Sequence, residues 1–253
     1  MVVQVQEGLG QLIAAAGPKV LVATAVSAER EAVAAASSGL AHEIRLPGAT
    51  LHRTGGRDLL AAGVGPARAA ASVSAALTAA ALDGTPYALV VCAGIAGGFQ
   101  PGAPVGSIVI ADDIVVADLG AEAPEGFLPV TELGFGTVSH RPPESLVRAA
   151  AAATGGRVGT VLTVSTVTGS ATRAAELRAR HPRALAEAME GFGAAEAAGA
   201  HGVPVLEIRA VSNPVGPRDR AAWRIGEALA ALTEAFGKLG PVLESWNPYE
   251  RTH

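Results

Sequence analysis

The chain has 253 residues, with 19 Lys and Arg against 23 Asp and Glu, and a formal net charge of −4. This balance provides neither a basic surface for nucleic acid nor a polybasic segment for a membrane, so a small-molecule partner is predicted. The length suits one large α/β domain. We predict that domain at residues 19–240, an N-terminal extension at 1–18 and a loose tail at 241–253. The one cysteine, Cys92, lies in an apolar run, which indicates a buried thiol and a cytoplasmic protein.

The first predicted strand, residues 19–26, is a continuous apolar run. Ser27 is the predicted N-cap of the Ala-rich helix that follows to about residue 36. Glu29 lies just beyond the strand, and an open parallel sheet binds its ligands beyond the carboxyl ends of its strands. Glu29 is therefore a candidate catalytic residue. The alternative is an acid that only stabilises the first turn of the helix.

Short strands are predicted within residues 44–62, before a Gly-Val-Gly-Pro turn and a helix at 67–82. The next strand, 87–92, runs into a stretch of small residues and glycines at 93–99, which we predict to be a loop. Its backbone N–H groups are free to face a ligand, unless the glycines serve only to make a turn. The candidate binding residues in it are Ile95, Ala96 and Gly97.

A long strand is predicted at residues 106–118, with a bend or bulge at Asp112 and Asp113. Residues 119–143 read as a long loop, which is typical of a lid or of the wall of a site. A helix at 143–153 and a strand at 157–164 follow. Beyond that strand comes a hydroxyl-rich segment, in which Val167 is a candidate binding residue and Ser170 is the predicted cap of the helix at 171–180.

A lone carboxylate, Glu190, follows a short strand at residues 184–189 and precedes a run of Gly and Ala that predicts a tightly packed helix. The last core strand, 204–211, ends at Ser212 and Asn213, and a final helix is predicted at 220–239. In a doubly wound sheet, the polar residues at these strand ends would converge on one crevice.

Several classes of site are disfavoured by the motifs. The six histidines show no spacing typical of metal ligands, so no metal and no cofactor are predicted. A nucleophile elbow and a phosphate-binding Walker loop are not found, which argues against an esterase or an ATPase.

The order of the motifs resembles the nucleoside phosphorylase and nucleosidase superfamily over residues 19–239. The segments that carry the resemblance are the acid at Glu29, Gly63-Val64-Gly65, Ala93-Gly94-Ile95-Ala96-Gly97-Gly98, Ala188-Met189-Glu190-Gly191 and Arg209-Ala210-Val211-Ser212-Asn213. The resemblance implies a three-layer α/β fold with a central mixed, twisted sheet flanked by helices. It also implies a nucleoside substrate and a homo-oligomer.

Within the superfamily, Met-Glu-Gly-Phe-Gly paired with Ser-Asn-Pro-Val-Gly-Pro-Arg-Asp is most similar to the members that remove hypoxanthine from futalosine in menaquinone biosynthesis. The resemblance implies that Glu190 holds the ribose hydroxyls, that Met189 flanks the sugar, and that Glu29 is the base for the attacking water. Ala188 and Ser212 are carried over as binding residues.

Nucleosidases for methylthioadenosine and S-adenosylhomocysteine carry Asp where this chain has Asn213. A neutral amide donates to a 6-oxo group and accepts from protonated N7, which matches hypoxanthine or guanine. Asp219 is a candidate for an acid that assists the leaving base.

Three alternatives remain open. The first is a phosphorylase for 6-oxopurine nucleosides, with Arg68 and Ser72 as anion contacts; Ile95 stands where many relatives place Ser, and Glu29 would repel phosphate, so hydrolysis is favoured. The second is a nucleosidase for methylthioadenosine and S-adenosylhomocysteine, and the third is a nucleoside-binding protein without turnover. The 5′ group of futalosine would need a cation and an apolar wall, for which the candidates are Arg218, Phe127, Phe135, Phe192 and Trp223.

Overall fold

The computed structural model describes residues 19–37, 42–54, 56–124 and 126–247. Within them, the strands are β1 (Val20–Thr24), β2 (His42–Leu46), β3 (Ala49–Arg53), β4 (Arg57–Ala61), β5 (Leu89–Gly98), β6 (Ile108–Val116), β7 (Gly120–Ala123), β8 (Gly126–Pro129), β9 (Ser139–His140), β10 (Arg157–Thr163), β11 (Ala184–Ala188) and β12 (Val205–Pro214). The helices are α1 (Ser27–Ala34), α2 (Pro66–Leu82), α3 (Glu144–Thr154), α4 (Ala171–Arg180), α5 (Gly191–Ala200) and α6 (Ile225–Ser245), with a 3₁₀ turn at Arg220–Ala222.

One mixed sheet forms the centre of the described chain, in the order β11-β10-β6-β12-β5-β1-β4-β3-β2, with β9 paired to β6. Strands β1, β5 and β12 run parallel at its middle. The carboxyl end of β5 also pairs with β11 in the antiparallel direction. Strand β11 therefore lies beside β5 at Gly97 and Gly98. The predicted mixed sheet is confirmed, and its central carboxyl ends belong to β1, β5 and β12.

Two apolar cores cover the two faces of the sheet, as alternation along β1 shows. Leu21 packs in the core that includes α2 and α5. Val22 packs in the core that includes α1, α3 and α6. Because successive strand side chains point to opposite faces, this alternation places helices on both sides. The three-layer prediction is confirmed.

Close packing of α2 against α5 follows from the small residues in α5. A side chain at Gly193 would place its Cβ 2.0 Å from the carbonyl oxygen of Pro66, so only glycine fits there. This contact bears out the tightly packed helix predicted after Glu190, and it brings the start of α5 next to the turn that begins α2.

The main difference from the predicted elements is the glycine-rich stretch after residue 92. It is not a loop: β5 continues through it to Gly98, because β12 pairs along one side of it and β11 pairs at its end. Glycine there serves close approach rather than a turn, since a Cβ at Gly98 would meet the Ala103 carbonyl oxygen at 2.1 Å. Tertiary pairing therefore overrides the local turn signal.

Smaller differences between the predicted and the observed elements concern the segment at 119–143 and the end of α6. The predicted loop at 119–143 contains the β7–β8 hairpin and β9. Helix α6 extends to Ser245 with Leu243 buried, so residues 241–245 are helical where a loose tail was predicted. The extension at 1–18 and residues 248–253 lie outside the described residues. The bulge at Asp112 is confirmed, because the β10 register shifts from Ala111 to Asp113.

Candidate active site

Glu29 is held by backbone N–H groups from two elements. The N-cap of α1 is Val26, not Ser27 as predicted, and the capping is done by the Glu29 carboxylate: Oε2 accepts from the N–H of Ala25 at 2.9 Å and of Val26 at 3.2 Å. Its Oε1 accepts from the N–H of Ile95, on β5, at 2.8 Å. Glu29 is 3% exposed. The carboxylate is therefore fixed between the end of β1 and Ile95, within β5.

Glu190 occupies the N-cap of α5, directly after β11, and is 6% exposed. Its Oε1 accepts from the N–H of Gly65 at 3.3 Å. Gly65 has φ of 91°, which a residue with a side chain rarely adopts, so the glycine turn places this N–H against the carboxylate. The predicted turn and the predicted acid thus contact each other.

Arg209 connects the acids from the middle of β12, and it is fully buried. Its Nη1 lies 3.4 Å from Glu190 Oε2, its Nε donates to Glu207 Oε1 at 2.8 Å, and its Nη2 donates to the Sγ of Cys92 at 3.3 Å. Burial alone lowers the pKa of Arg209, but attraction to Cys92, Glu207, Glu190 and Glu29 outweighs it and raises the pKa above its ordinary value. Arg209 is therefore a permanent buried cation.

Glu29 and Arg209 meet at Gly94 of β5. A Cβ there would lie 2.5 Å from Glu29 Oε1 and 2.8 Å from Arg209 Nη1, so the bare backbone leaves room for both groups. We call Glu29, Glu190, Glu207 and Arg209 the charged cluster. It brings together the two acids that the sequence singled out.

A separate cavity of about 70 Å³, which we call the Asn213 cavity, opens further along the same strands. It is lined by Gly97, Val167, Thr168, Glu187, Asn213, Pro214, Val215, Gly216, Pro217, Arg218 and Trp223. Three predicted site residues, Gly97, Val167 and Asn213, are therefore brought together there. Glu29 and Glu190 are not part of its lining.

The amide of Asn213 has a defined orientation. Its Nδ2 donates to the Pro214 carbonyl at 3.0 Å, and its Oδ1 accepts from Ser212 Oγ at 2.9 Å. Since a carbonyl can only accept, the nitrogen must face Pro214. One N–H and one lone pair of the amide remain for a ligand. The Ser212 hydroxyl has one hydrogen, which the shorter contact assigns to the amide, so the predicted binding residue Ser212 orients Asn213; the Ala96 carbonyl oxygen lies 3.3 Å from the same hydroxyl.

The charged cluster and the Asn213 cavity lie along one pair of strands. Arg209 is paired with Gly94, and Asn213 with Gly97. Three residues of extended strand separate the two positions by about 10 Å. The register shifts between Val211 and Asn213, so Ser212 is an extra residue in a bulge. Bulges next to active sites re-aim side chains, which explains how Asn213 faces the cavity.

Comparison with known proteins decides the family. A model of the phosphorylase superfamily matches residues 12–244. A futalosine hydrolase from Streptomyces coelicolor is 76% identical over 232 residues, which cover 91% of this chain and 99% of that protein. The chain belongs to the futalosine hydrolase family. The resemblance to the superfamily and to its futalosine-cleaving members is confirmed.

Solved structures confirm the fold of this family member. A futalosine hydrolase of Helicobacter pylori superposes with a TM-score of 0.75 at 17% identity, covering 89% of this chain and 98% of that one. A methylthioadenosine/S-adenosylhomocysteine nucleosidase from Colwellia psychrerythraea, in complex with adenine, gives a TM-score of 0.72 at 23% identity, covering 88% of this chain and 95% of that one.

Other residues that the sequence predicted for the site do not line the Asn213 cavity. Asp219 is exposed, and its Oδ1 accepts from the N–H of Ala221 at 3.1 Å, which caps the 3₁₀ turn. Arg68 donates to the Gly48 carbonyl. Ala188 ends β11, where its carbonyl accepts from Val164 at 2.9 Å, and Met189 follows beside Glu190.

Of the residues predicted to surround a 5′ group, two line the Asn213 cavity: Arg218 and Trp223, with the guanidinium 5.4 Å from the ring centre. The three phenylalanines do not. Phe127 lies under Arg180, Phe135 is 69% exposed, and Phe192 packs against His140.

Three buried charged residues at the site, Arg209, Glu207 and Glu187, were not identified from the sequence. Glu207 and Arg209 lie two positions apart in an otherwise apolar buried strand. This pair of opposite charges is the sequence signal that could have identified them. Glu187 lies in the strand predicted at residues 184–189, and the structure shows that it is 6% exposed and lines the cavity. Burial raises the pKa of Glu187 above its usual range, although two hydrogen bonds from Thr168 oppose the shift.

Two further observations concern ligands and membranes. Among residues 19–37, 42–54, 56–124 and 126–247, no group of three or more His, Cys, Asp and Glu side chains is arranged to hold a metal ion. In the same part of the chain, no helix is both long enough and apolar enough to cross a membrane.

Proposed function

We propose that this chain hydrolyses the N-glycosidic bond of futalosine, releasing hypoxanthine and dehypoxanthine futalosine in menaquinone biosynthesis. The observation that carries the proposal is the placement of two buried carboxylates and an oriented amide along β5 and β12. The identity of 76% with the futalosine hydrolase of S. coelicolor supports this choice of substrate. The chemistry follows from the charged cluster, and the base preference follows from Asn213.

Glu190 is proposed to bind the ribose hydroxyls, with Met189 against the sugar. Its carboxylate uses only one acceptor site on Gly65 and faces Arg209 with the other oxygen, so it retains sites for hydroxyl donors. As the glycosidic bond breaks, the sugar gains positive charge. Hydrogen bonds from hydroxyls to a carboxylate strengthen as that charge develops, which lowers the barrier.

Glu29 is proposed as the base that takes a proton from the attacking water. Three backbone N–H groups occupy three of the roughly four acceptor sites of its carboxylate, which leaves one directed site for a water molecule. A positioned general base contributes about 10² to 10⁴ in rate.

Asn213 is proposed to recognise the base, with the residues of the Asn213 cavity around it. Its free N–H donates to the 6-oxo group and its free lone pair accepts from N7 once that nitrogen is protonated. An adenine base would set its own 6-amino donor against the N–H of the amide. Asp219 caps the 3₁₀ turn and is not among the residues that line the cavity, so Asn213, and not Asp219, is proposed to bind the O6 and N7 edge of the leaving base.

Water is favoured over phosphate as the nucleophile by the surroundings of Glu29. The N–H groups of Ala25, Val26 and Ile95 are occupied by its carboxylate and are not offered to an anion. A second negative group beside this carboxylate would be repelled. Arg68, the candidate phosphate contact, is bonded to the Gly48 carbonyl.

We also propose that the enzyme is a cytoplasmic homo-oligomer with one domain at 19–240. Exposed apolar side chains in the segment that carries the β7–β8 hairpin support association between copies: Leu119 is 42%, Leu133 40% and Phe135 69% exposed. A single buried cysteine fits a reducing compartment. Light scattering of the purified protein measures the number of copies.

The test is incubation of the protein with futalosine, inosine and methylthioadenosine, each with and without phosphate. We expect free hypoxanthine from futalosine at the same rate in both buffers, together with the free sugar product. A requirement for phosphate, with formation of a sugar 1-phosphate, would identify a phosphorylase. Release of adenine from methylthioadenosine as the fastest reaction would identify the other nucleosidase class.

A further inference from the structure

We infer that Glu187 is a second specificity-determining residue, which accepts the N1–H of a 6-oxopurine on the opposite side of the Asn213 cavity from Asn213. The inference deepens the proposed function and rests on it, because it concerns how the same cavity recognises the base.

Glu187 and Asn213 both pair with Gly97, each from a different neighbouring strand. In β12, Asn213 pairs with Gly97 in the parallel direction, and in β11, Glu187 pairs with Gly97 in the antiparallel direction. Neighbouring strands lie about 4.8 Å apart, so the backbones of Glu187 and Asn213 are separated by about 10 Å. Residues directly opposite each other on paired strands project to the same face. Both side chains line the cavity.

Val215 packs over Gly97 between these two side chains and forms the floor of the cavity there. A Cβ at Gly97 would come within 2.9 Å of Val215 Cγ2 and 3.4 Å of Asn213 Nδ2. With about 70 Å³, the cavity has room for about five to seven water molecules, which an entering base would displace. A base lying against Val215 thus meets the amide along one edge and the carboxylate along the other.

Glu187 is prepared to accept a hydrogen bond. Its Oε1 accepts from the Thr168 N–H at 2.8 Å, and its Oε2 accepts from the Thr168 hydroxyl. These bonds orient the carboxylate and leave about two of its four acceptor sites. Burial raises the pKa of Glu187, which means that placing an acid here is unfavourable for the folded state. Acids kept at such a cost cluster at functional sites.

The chemistry of the base makes the contact selective. A 6-oxopurine carries a hydrogen on N1, whereas N1 of adenine is an acceptor without a hydrogen. A carboxylate therefore bonds to hypoxanthine and opposes adenine, where two acceptors would face each other. Asn213 recognises the O6 and N7 edge, so the two residues discriminate through different atoms. A site built around one hydrogen-bond pattern rejects the other strongly, because a buried polar group is left unpaired.

The competing explanation is that Glu187 only braces the segment at 165–170 through Thr168. A brace supports the cavity for every base alike. The two roles therefore differ in the ratio of kcat/KM between futalosine and its 6-amino analogue, and not in the overall rate.

The test uses Glu187→Gln, which keeps the size of the side chain and an oxygen that can accept the Thr168 N–H. We expect kcat/KM for futalosine to fall by about 10- to 100-fold, as for the loss of a hydrogen bond to a charged group. The rate on the 6-amino analogue should not fall, since the amide can donate to N1 of adenine. Glu176→Gln is the matched control: it removes one carboxylate from the exposed side of α4, where Glu176 pairs with Arg173, and both rates should stay unchanged.

Equal losses on both substrates in Glu187→Gln would overturn the inference and leave a brace. Titration of the unmodified protein with hypoxanthine and with N1-methylhypoxanthine is a second measurement, independent of any variant. We expect the methylated base to bind at least about tenfold more weakly; equal affinities would overturn the inference. Failure of the unmodified protein to cleave futalosine would instead contradict the proposed function, while the titration would still decide the role of Glu187.

Discussion

The charged cluster and the Asn213 cavity lie on the same two strands, yet they are built in opposite ways. The cluster is almost buried: Glu207 and Arg209 are fully buried, and the two acids proposed to meet the substrate and the water keep a small exposed fraction, 3% for Glu29 and 6% for Glu190. The Asn213 cavity is open: Val167 is 36% exposed, and one wall is formed by the segment after β12.

This difference indicates that the charged cluster breaks the bond and that the Asn213 cavity recognises the base. Buried carboxylates need a fixed cation and fixed N–H groups, so the cluster is rigid and suits the breaking of one kind of bond. A base must enter and leave, so the cavity that recognises it is open and uses uncharged or singly charged hydrogen-bonding groups. We therefore expect changes in the cluster to affect folding and turnover, and changes in the cavity to affect the choice of base.

The largest effect is expected from removal of the cation. Arg209→Leu leaves Glu29, Glu190 and Glu207 buried without their positive partner, which should lower the free energy of unfolding by about 3–5 kcal/mol. Chemical denaturation of the variant measures this change.

The matched control is Arg148→Leu, which removes an arginine from a surface pair with Glu144 on α3. Exposed pairs at this helical spacing contribute about 0.3–0.5 kcal/mol. Similar losses in the two variants would mean that the cluster does not depend on Arg209.

Removal of either acid of the cluster is expected to lower turnover without unfolding the chain. Glu29→Ala and Glu190→Ala should each reduce kcat by at least about 10², which corresponds to about 2.7 kcal/mol of barrier. Glu31→Ala is the control, since Glu31 is an exposed neighbour whose carboxylate pairs with Arg30. A near-normal rate in either acid variant would remove that residue from the mechanism.

A change of the amide should alter the base preference and leave turnover of the preferred nucleoside measurable. In Asn213→Asp, a protonated carboxyl can donate to N7 and accept from a 6-amino group, so the ratio of rates should move toward adenine nucleosides by about tenfold or more. Asp219→Asn is the comparison, because Asp219 is exposed at the 3₁₀ turn. A shift of preference in Asp219→Asn would restore that acid to the site.

The smallest effect is expected at Cys92, whose thiol contacts Arg209. Burial raises the pKa of this thiol, so almost none of it is the reactive thiolate at pH 8. We expect a thiol reagent to leave the native protein unmodified and to label one cysteine per chain after denaturation. Fast labelling of the native protein would show that the cluster opens.

The positions of the core strands along the chain and of the two acids were predictable from the sequence, because apolar runs followed by acids mark strand ends. Glu29 and Glu190 were identified in this way. Their connection was not, since Arg209 meets them through side-chain packing between β12, β5 and α5 that no local pattern encodes.

The cavity was predicted less completely than the cluster. The glycines at 93–99 indicated a loop, but pairing on both sides made them the end of β5, and Glu187 reaches the site only through that pairing. Asp219 was proposed from its nearness to Asn213 in sequence, yet the chain between them carries it to the surface. Separation along the sequence is a poor guide to distance after a strand ends.

The division of tasks between the two regions is tested most directly by kcat/KM for futalosine and for its 6-amino analogue in the unmodified protein, Glu29→Ala and Asn213→Asp. We predict that Glu29→Ala lowers both values by the same factor, so that their ratio is unchanged, and that Asn213→Asp changes the ratio. A ratio that shifts in Glu29→Ala, or one that stays constant in Asn213→Asp, would contradict the account.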